Sequence, residues 1–284
     1  MTIAVLGATG GQGGAVLAAL AEAGRKVRAV VRDPKQERAR ALSDAGFEVV
    51  AAELTDRASL AAAFTRAEAA FAVTTPFGDG LEAERRQGMA IVDAAAEAAL
   101  PYLVMASVAS ADRETGIPHF ETKAHTERIL AASGLPSAVV APTYFYDNVL
   151  GQRDEIGTGV LSLPLPSDVP LQQVARQDLG RVVAAVLADP GRWRGQRIEV
   201  AGDDPTPQEM ADAIGRATGT PVTFESVPLH RAREANPDIG AMFAYLAETG
   251  YQADIPALRT DFPDIPWTGF AAWAARQKWP VPER

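Results

Sequence analysis

The first twenty-four residues constrain this chain most. "TIAVL" (2–6) is a short apolar run with β-branching, and it predicts a buried strand that stops at Gly7. "GATGGQGG" follows, then "AVLAALAEAG", a run of good helix formers ending at Gly24. Glycines fall at 7, 10 and 13. Gly7 permits a tight turn out of the strand, Gly10 leaves the backbone open to a ligand, and Gly13 allows the helix to pack close to a sheet. The first-turn amides of a helix lack intrahelical partners and attract anions. A second strand, "KVRAVV" (26–31), completes the fingerprint that cradles a dinucleotide pyrophosphate. Thr9 and Gln12 lie in the same turn and join the candidate contacts.

The end of the second strand bears on cofactor choice. An acidic residue there would hold the ribose 2′-hydroxyl of NAD, whereas an arginine would accommodate the 2′-phosphate of NADP. The order is Val31-Arg32-Asp33-Pro34. Asp33 has a structural explanation as a helix N-cap, with proline at the first helical position. Arg32 then favours NADP, and NADPH is the expected cofactor. Lys35 and Arg38 either add positive charge or are solvated helix residues.

The alternation continues. Strands are predicted at 47–54, 69–75, 101–108 and 137–142, with helices at 59–67, 82–99 and from the segment "PHFETKAHTE" (118–127) to about Ser133. Repeated β-α units imply a doubly wound parallel sheet, the Rossmann fold, covered on both faces. The expected division is a nucleotide-binding domain over 1–150, with 172–202 returning to it. A smaller α+β substrate region takes 151–171 and 203–284. Within it, 161–174 is proline-rich and extended, helices are expected over 206–218 and 235–251, and "PVTFESVP" (221–228) is a strand. Met242, Phe243 and Leu246 share an apolar helix face that is either core or pocket wall. Ligands bind at the carboxyl ends of such strands. Those ends are Thr74-Thr75-Pro76-Phe77, Ser107 and Pro142-Thr143-Tyr144-Phe145, where each threonine or serine is either a site residue or a turn residue bonding its own backbone. Phe145 fits a core cluster equally well.

Composition narrows the function. The chain has no cysteine and three histidines, so thiolate chemistry is excluded and no metal site is expected. A net charge of −9 without a concentrated basic patch argues against nucleic acid. No run approaches the length of a membrane span, and the first residues lack the pattern of a signal peptide. The expectation is a soluble cytoplasmic protein acting on a small molecule. A homodimer is one assembly left open.

"VLGATGGQGGAVLAAL", "VRAVVRDP", "HFETKAHTERIL", "SGLPSAVVAPTYFYDN" and "FPDIPWTGFAAWAA", in this order, resemble an NmrA-like protein, a branch of the atypical short-chain dehydrogenase/reductases. The resemblance runs through nearly the whole chain. It implies an NADP-preferring Rossmann domain and a small C-terminal region over the nicotinamide. Members include quinone, dye and isoflavone-type reductases, and also cofactor-sensing regulators. In the wider superfamily the helix carries Tyr-x-x-x-Lys, where tyrosine donates a proton and lysine holds the nicotinamide ribose. Lys123 matches that lysine, and His119 stands where the tyrosine would be. A histidine can donate a proton, but a neighbouring lysine cation disfavours its charged form. His119 therefore either has a chemical role or only shapes the pocket. His125 and His230 are read as surface or structural.

The candidate catalytic residues are thus Lys123, His119 and Ser107. The candidate cofactor contacts are Gly7, Thr9, Gly10, Gln12, Gly13, Arg32, Thr74, Thr75, Pro76, Phe77, Lys123, Pro142, Tyr144 and Phe145. Phe77, Tyr144, Tyr146, Asn148 and Phe243 are expected to line the substrate pocket. The leading expectation is an NADPH-dependent reductase of a small apolar acceptor: a quinone, conjugated enone, imine or dye, which can take hydride before a proton arrives. The alternative is a non-catalytic NADP(H) sensor. A nucleotide-sugar epimerase fits poorly, because the tyrosine is missing.

Overall fold

The computed structural model describes residues 2–280. Met1 and the last four residues of the expected 203–284 region lie outside the described residues. The first strands and helices alternate as β1 (Thr2–Leu6), α1 (Gly11–Glu22), β2 (Lys26–Val31), α2 (Glu37–Asp44), β3 (Glu48–Ala51), α3 (Arg57–Phe64), β4 (Ala69–Ala72), α4 (Leu81–Glu97), β5 (Leu103–Ala106), α5 (Pro118–Ser133) and β6 (Ser137–Pro142). Then come β7 (Tyr144–Phe145), α6 (Arg153–Gly157), β8 (Val160–Leu163), β9 (Gln173–Val174), α7 (Arg176–Ala188), α8 (Pro190–Trp193) and β10 (Arg197–Val200). The chain closes with α9 (Pro207–Thr218), β11 (Thr223–Ser226), α10 (Leu229–Ala235), α11 (Pro237–Glu248), α12 (Ile255–Asp261) and α13 (Phe270–Ala274).

Seven strands form one sheet in the order β10-β6-β5-β4-β1-β2-β3. Pairing is parallel from β3 through β1 and β4 to β6. This is the doubly wound Rossmann arrangement. β1 lies between β2 and β4, so the order reverses there, and ligands bind outside the strand ends at such a switch point. The central strands β4 and β5 are uninterrupted apolar runs because helices cover both faces: all four residues of each are buried. A core cluster joins Ala4, Leu6, Leu60, Phe64, Ile91 and Leu103, each at most 1% exposed.

The chain divides into two compact units. The first is Met1–Asp112, Pro118–Ala141 and Leu179–Ile198; the second is Arg113–Ile117, Pro142–Asp178 and Glu199–Arg284. The sheet unit therefore closes at Ala141, and the stretch that returns to it is 179–198. In the first unit, a Cβ at Gly180 of α7 would lie 2.4 Å from the Ala15 carbonyl oxygen of α1, so the late helix packs directly against the glycine-rich one. In the second unit β8 pairs with β11 and β7 with β9, both in parallel. α9 opens with a full capping box: Thr206 accepts from the Glu209 amide, and the Glu209 carboxylate accepts from the Thr206 amide.

One local expectation is corrected. Asp33 does not cap a helix at Pro34. Its carboxylate accepts from the Lys35 amide and its carbonyl from Gln36, which closes a turn, and α2 starts only at Glu37. The same short carboxylate side chain serves caps and aspartate turns alike.

Candidate active site

The glycine turn is built for close approach. Gly7 sits at φ +66°, and Gly10 donates its amide to the Gly7 carbonyl at 2.8 Å, which tightens the turn. A Cβ at Gly13 would lie 2.2 Å from the Gly7 carbonyl oxygen, so only glycine lets α1 approach β1 this closely. At Gly10 the neighbour a Cβ would meet is that same oxygen, at 3.2 Å. Gln12 Oε1 is buried with no hydrogen-bond partner among the described residues. Arg32 is exposed just beyond β2. The Arg38 guanidinium reaches back to the Thr9 carbonyl at 3.5 Å.

At the carboxyl end of β4, Thr74 is buried and Thr75 exposed. The Thr75 amide donates to Gln87 of α4, and its hydroxyl accepts from the Phe77 amide. The carbonyl of Pro76 accepts from Gly78 and Gly80, so the segment turns back on itself and leaves Phe77 69% exposed.

α5 presents the pair expected from "HFETK". His119 is 8% exposed and lies against two rings, with centroids 5.8 Å away at Phe77 and 4.8 Å at Phe120. Lys123, one turn on, is also 8% exposed. Its three ammonium protons meet three acceptors: the Thr74 carbonyl at 2.6 Å, Thr74 Oγ1 at 2.9 Å and Glu84 Oε1 at 2.8 Å. Burial pulls the Lys123 amine below its ordinary value, and Glu84 opposes that pull. The lone cation expected beside His119 is thus one half of an ion pair.

Ser107, at the end of β5, donates its hydroxyl to Glu127 Oε1. The other Glu127 oxygen accepts from Arg197 Nε at 2.9 Å, and Arg197 also binds the Val108 carbonyl and pairs with Asp112. Glu84, Glu127 and Arg197 were not singled out from the sequence. A charged residue on a helix or strand reads as solvent-facing, and these meet partners up to 89 residues away.

The remaining expected residues belong to the second unit. Pro142 ends β6. The Tyr144 ring meets Phe243 edge-on at 6.1 Å, and burial pushes its phenol up to about 12 while a hydrogen bond from Asn148 opposes the shift. Arg176 lies over the Phe145 ring at 5.8 Å. Tyr146 is a correction: it is fully buried, its hydroxyl donates to the Thr268 carbonyl at 2.9 Å, and Phe270 and Trp273 pack on its ring. It is core, with no surface to offer a substrate.

The model of the NmrA-like family matches residues 1–268. The chain belongs to the NmrA-like family. This NmrA-like chain is 30% identical over 282 residues to the (4-alkanoyl-5-oxo-2,5-dihydrofuran-3-yl)methyl phosphate reductase of Streptomyces griseus, with 96% of each chain covered. Its fold matches the triphenylmethane reductase of Citrobacter sp. solved with NADP(H), at TM-score 0.81 and 21% identity over 97% of this chain and all of that one. It also matches NmrA, a negative transcriptional regulator, at TM-score 0.79 and 21% identity over 97% and 94%. At that identity the two structures speak for the fold.

Proposed function

We propose that the chain is an NADPH-dependent reductase that delivers hydride to a small apolar acceptor with delocalised electrons: a quinone, conjugated enone, imine or dye. The observation that carries this is the commitment of its donors. The Ser107 proton goes to Glu127, and all three Lys123 protons have acceptors within the protein. A simple ketone needs an acid as hydride arrives, whereas a delocalised acceptor spreads the charge and takes its proton later from water. Family membership and the reductase relative support oxidoreductase chemistry.

The residues present fit the cofactor. Gly10 is exposed, and Gly13 brings the first-turn amides of α1, donors that an anion can meet, up to the turn. Gly7, Thr9, Gly10, Gln12 and Gly13 would hold the pyrophosphate, and Arg32, with Arg38 beside Thr9, the 2′-phosphate. Thr74, Thr75, Pro76, Phe77, Pro142, Tyr144 and Phe145 are the proposed contacts to the nicotinamide half, with Lys123 as a fixed positive charge. Bound dihydronicotinamide supplies the hydride. Phe77, Tyr144, Asn148 and Phe243 are the proposed acceptor contacts, and His119 shapes the pocket. The cytoplasm, where NADPH is available, is the proposed location.

The test is NADPH oxidation against quinones, enones, imines, dyes and simple ketones, with NADPH binding measured in parallel. Turnover of the delocalised acceptors, with little on ketones, is expected. Binding without turnover of any acceptor would instead make the protein a cofactor sensor.

A further inference from the structure

Glu84 lies on the first turn of α4 and is 0% exposed. Its Oε1 accepts from Lys123 and from the Thr74 hydroxyl at 2.9 Å, and its Oε2 accepts from the Thr122 hydroxyl. Three of the roughly four acceptor directions of this buried carboxylate are therefore used, and the amino end of a helix adds a favourable dipole. Stability alone does not explain such a pair, since an apolar pair of similar volume is often as stable or more so. The arrangement does tie down one place. Through Lys123 and the Thr74 hydroxyl, Glu84 reaches the backbone at the carboxyl end of β4, just before Thr75–Phe77.

We propose that Glu84 is a positioning residue, which holds Lys123 as a cation pinned to Thr74 and so sets both the charge and the backbone position at the end of β4. Lys123 then acts as a fixed charge and not as a proton shuttle. The link from this charge to cofactor affinity rests on the functional reading above; the charge state itself does not.

The titratable groups facing Lys123 among the described residues are Glu84 from α4, with Glu127 and His119 from α5; the β4 end contributes the neutral Thr74. Burial disfavours the ammonium, Glu84 is its main support, and Glu127, shared with Ser107 and Arg197, is a lesser one. Burial already outweighs this support, and removing the Glu84 charge should leave it less opposed, so Lys123 should lose its proton at lower pH than in the unaltered protein.

The experiment uses Glu84→Gln with two readouts. The chain has four lysines, at 26, 35, 123 and 278, so 13Cε-lysine NMR of the protein without nucleotide resolves Lys123 once Lys123→Met identifies its signal. The second readout is the NADPH dissociation constant from fluorescence, over about pH 7 to 9, above the range in which the 2′-phosphate itself takes up a proton. In the unaltered protein the Lys123 signal should stay at its charged position and the affinity should be flat. In Glu84→Gln the signal should titrate within that window, and affinity should be near normal at the acid end and fall at least about tenfold toward the alkaline end, as the lysine cation is lost. A Lys123 signal that stays charged in Glu84→Gln overturns the proposal, as does one that titrates while affinity stays flat. Should Glu84→Gln not fold, the apolar pair Glu84→Met/Lys123→Met replaces it, because a buried ion pair exchanged whole is tolerated better than one broken. Weaker, pH-independent NADPH binding by that pair is expected, and normal affinity would overturn the assignment. If the unaltered protein binds no NADPH, the functional reading fails, and the NMR titration still decides the charge state.

Discussion

Arg32 and His119 make opposite demands on measurement. Arg32 is exposed and has no structural duty on view, so its replacement should act on the ligand alone. Arg32→Ala should weaken NADPH by about 1.5–3 kcal/mol, the worth of a charge-assisted contact, and leave NADH nearly unchanged. Calorimetry with both cofactors checks this, and equal affinities in the unaltered protein would remove arginine from the 2′-phosphate. His119 is buried between two rings, a setting that phenylalanine would fill. His119→Phe should retain most of the rate on a quinone. A loss of about a hundredfold, with a wild-type rate that falls as pH rises through the histidine range, would instead make His119 the acid.

At the scale of elements, two glycines one turn apart should fail in different ways. Gly13→Ala sets a methyl 2.2 Å from backbone, which cannot yield, so α1 must back away from β1. A stability loss on the order of 3 kcal/mol is expected by chemical denaturation. Gly10→Val meets its neighbour at 3.2 Å, which asks for a shift of a few tenths of an ångström. It should fold and lose NADPH binding; normal binding would move the pyrophosphate elsewhere. These elements were legible because each announces itself locally. β6 was expected at 137–142 and is found there, and the long helix expected at 82–99 is α4, Leu81–Glu97. β3 is shorter than its apolar run, at four residues, because it pairs on one side only, with β2. The site was half legible for the same reason. Glycine spacing and the strand-end arginine are local signals, whereas Glu84 meets Lys123 only once α4 and α5 pack. That packing needs Gly88, where a Cβ would lie 2.2 Å from Thr126 Oγ1. Tyr146 failed in the other direction: beside Tyr144 and Phe145 it looked like pocket lining, and only Thr268, 122 residues later, shows where its hydroxyl is spent.

For the whole molecule, buried phenols set an alkaline limit. Burial is the main cause that raises Tyr102 and Tyr144 to about 12, and Tyr146 and Tyr251 are raised as well. An unfolded phenol ionises near pH 10. The folded state then binds more protons than the unfolded one above that pH, so the stability these groups contribute is complete below about pH 10 and is lost as pH rises through the folded values. A phenol such as Tyr102, held at about 12, accounts for roughly 2–3 kcal/mol of that loss. Denaturant midpoints should fall steeply between about pH 10 and 12. Tyrosinate absorbance should rise together with unfolding, and phenols that ionise in the intact fold would contradict the burial argument.

The close approach of Gly180 to Ala15 has a consequence for how the molecule can be made. The glycine-rich helix packs against a surface encoded about 165 residues after it, a separation that slows folding. The strand at the sheet's outer position, β10, is encoded later still. The sheet unit is thus not an amino-terminal module that could be excised or transplanted. A fragment of residues 1–150 should leave the Ala15 face of α1 and the free edge of β6 open to solvent, and should aggregate, not fold cooperatively. Adding residues 176–200, which hold α7 and β10, back as a separate peptide should restore cooperative unfolding in calorimetry, and a 1–150 fragment that melts cooperatively unaided would show that the late helix is dispensable.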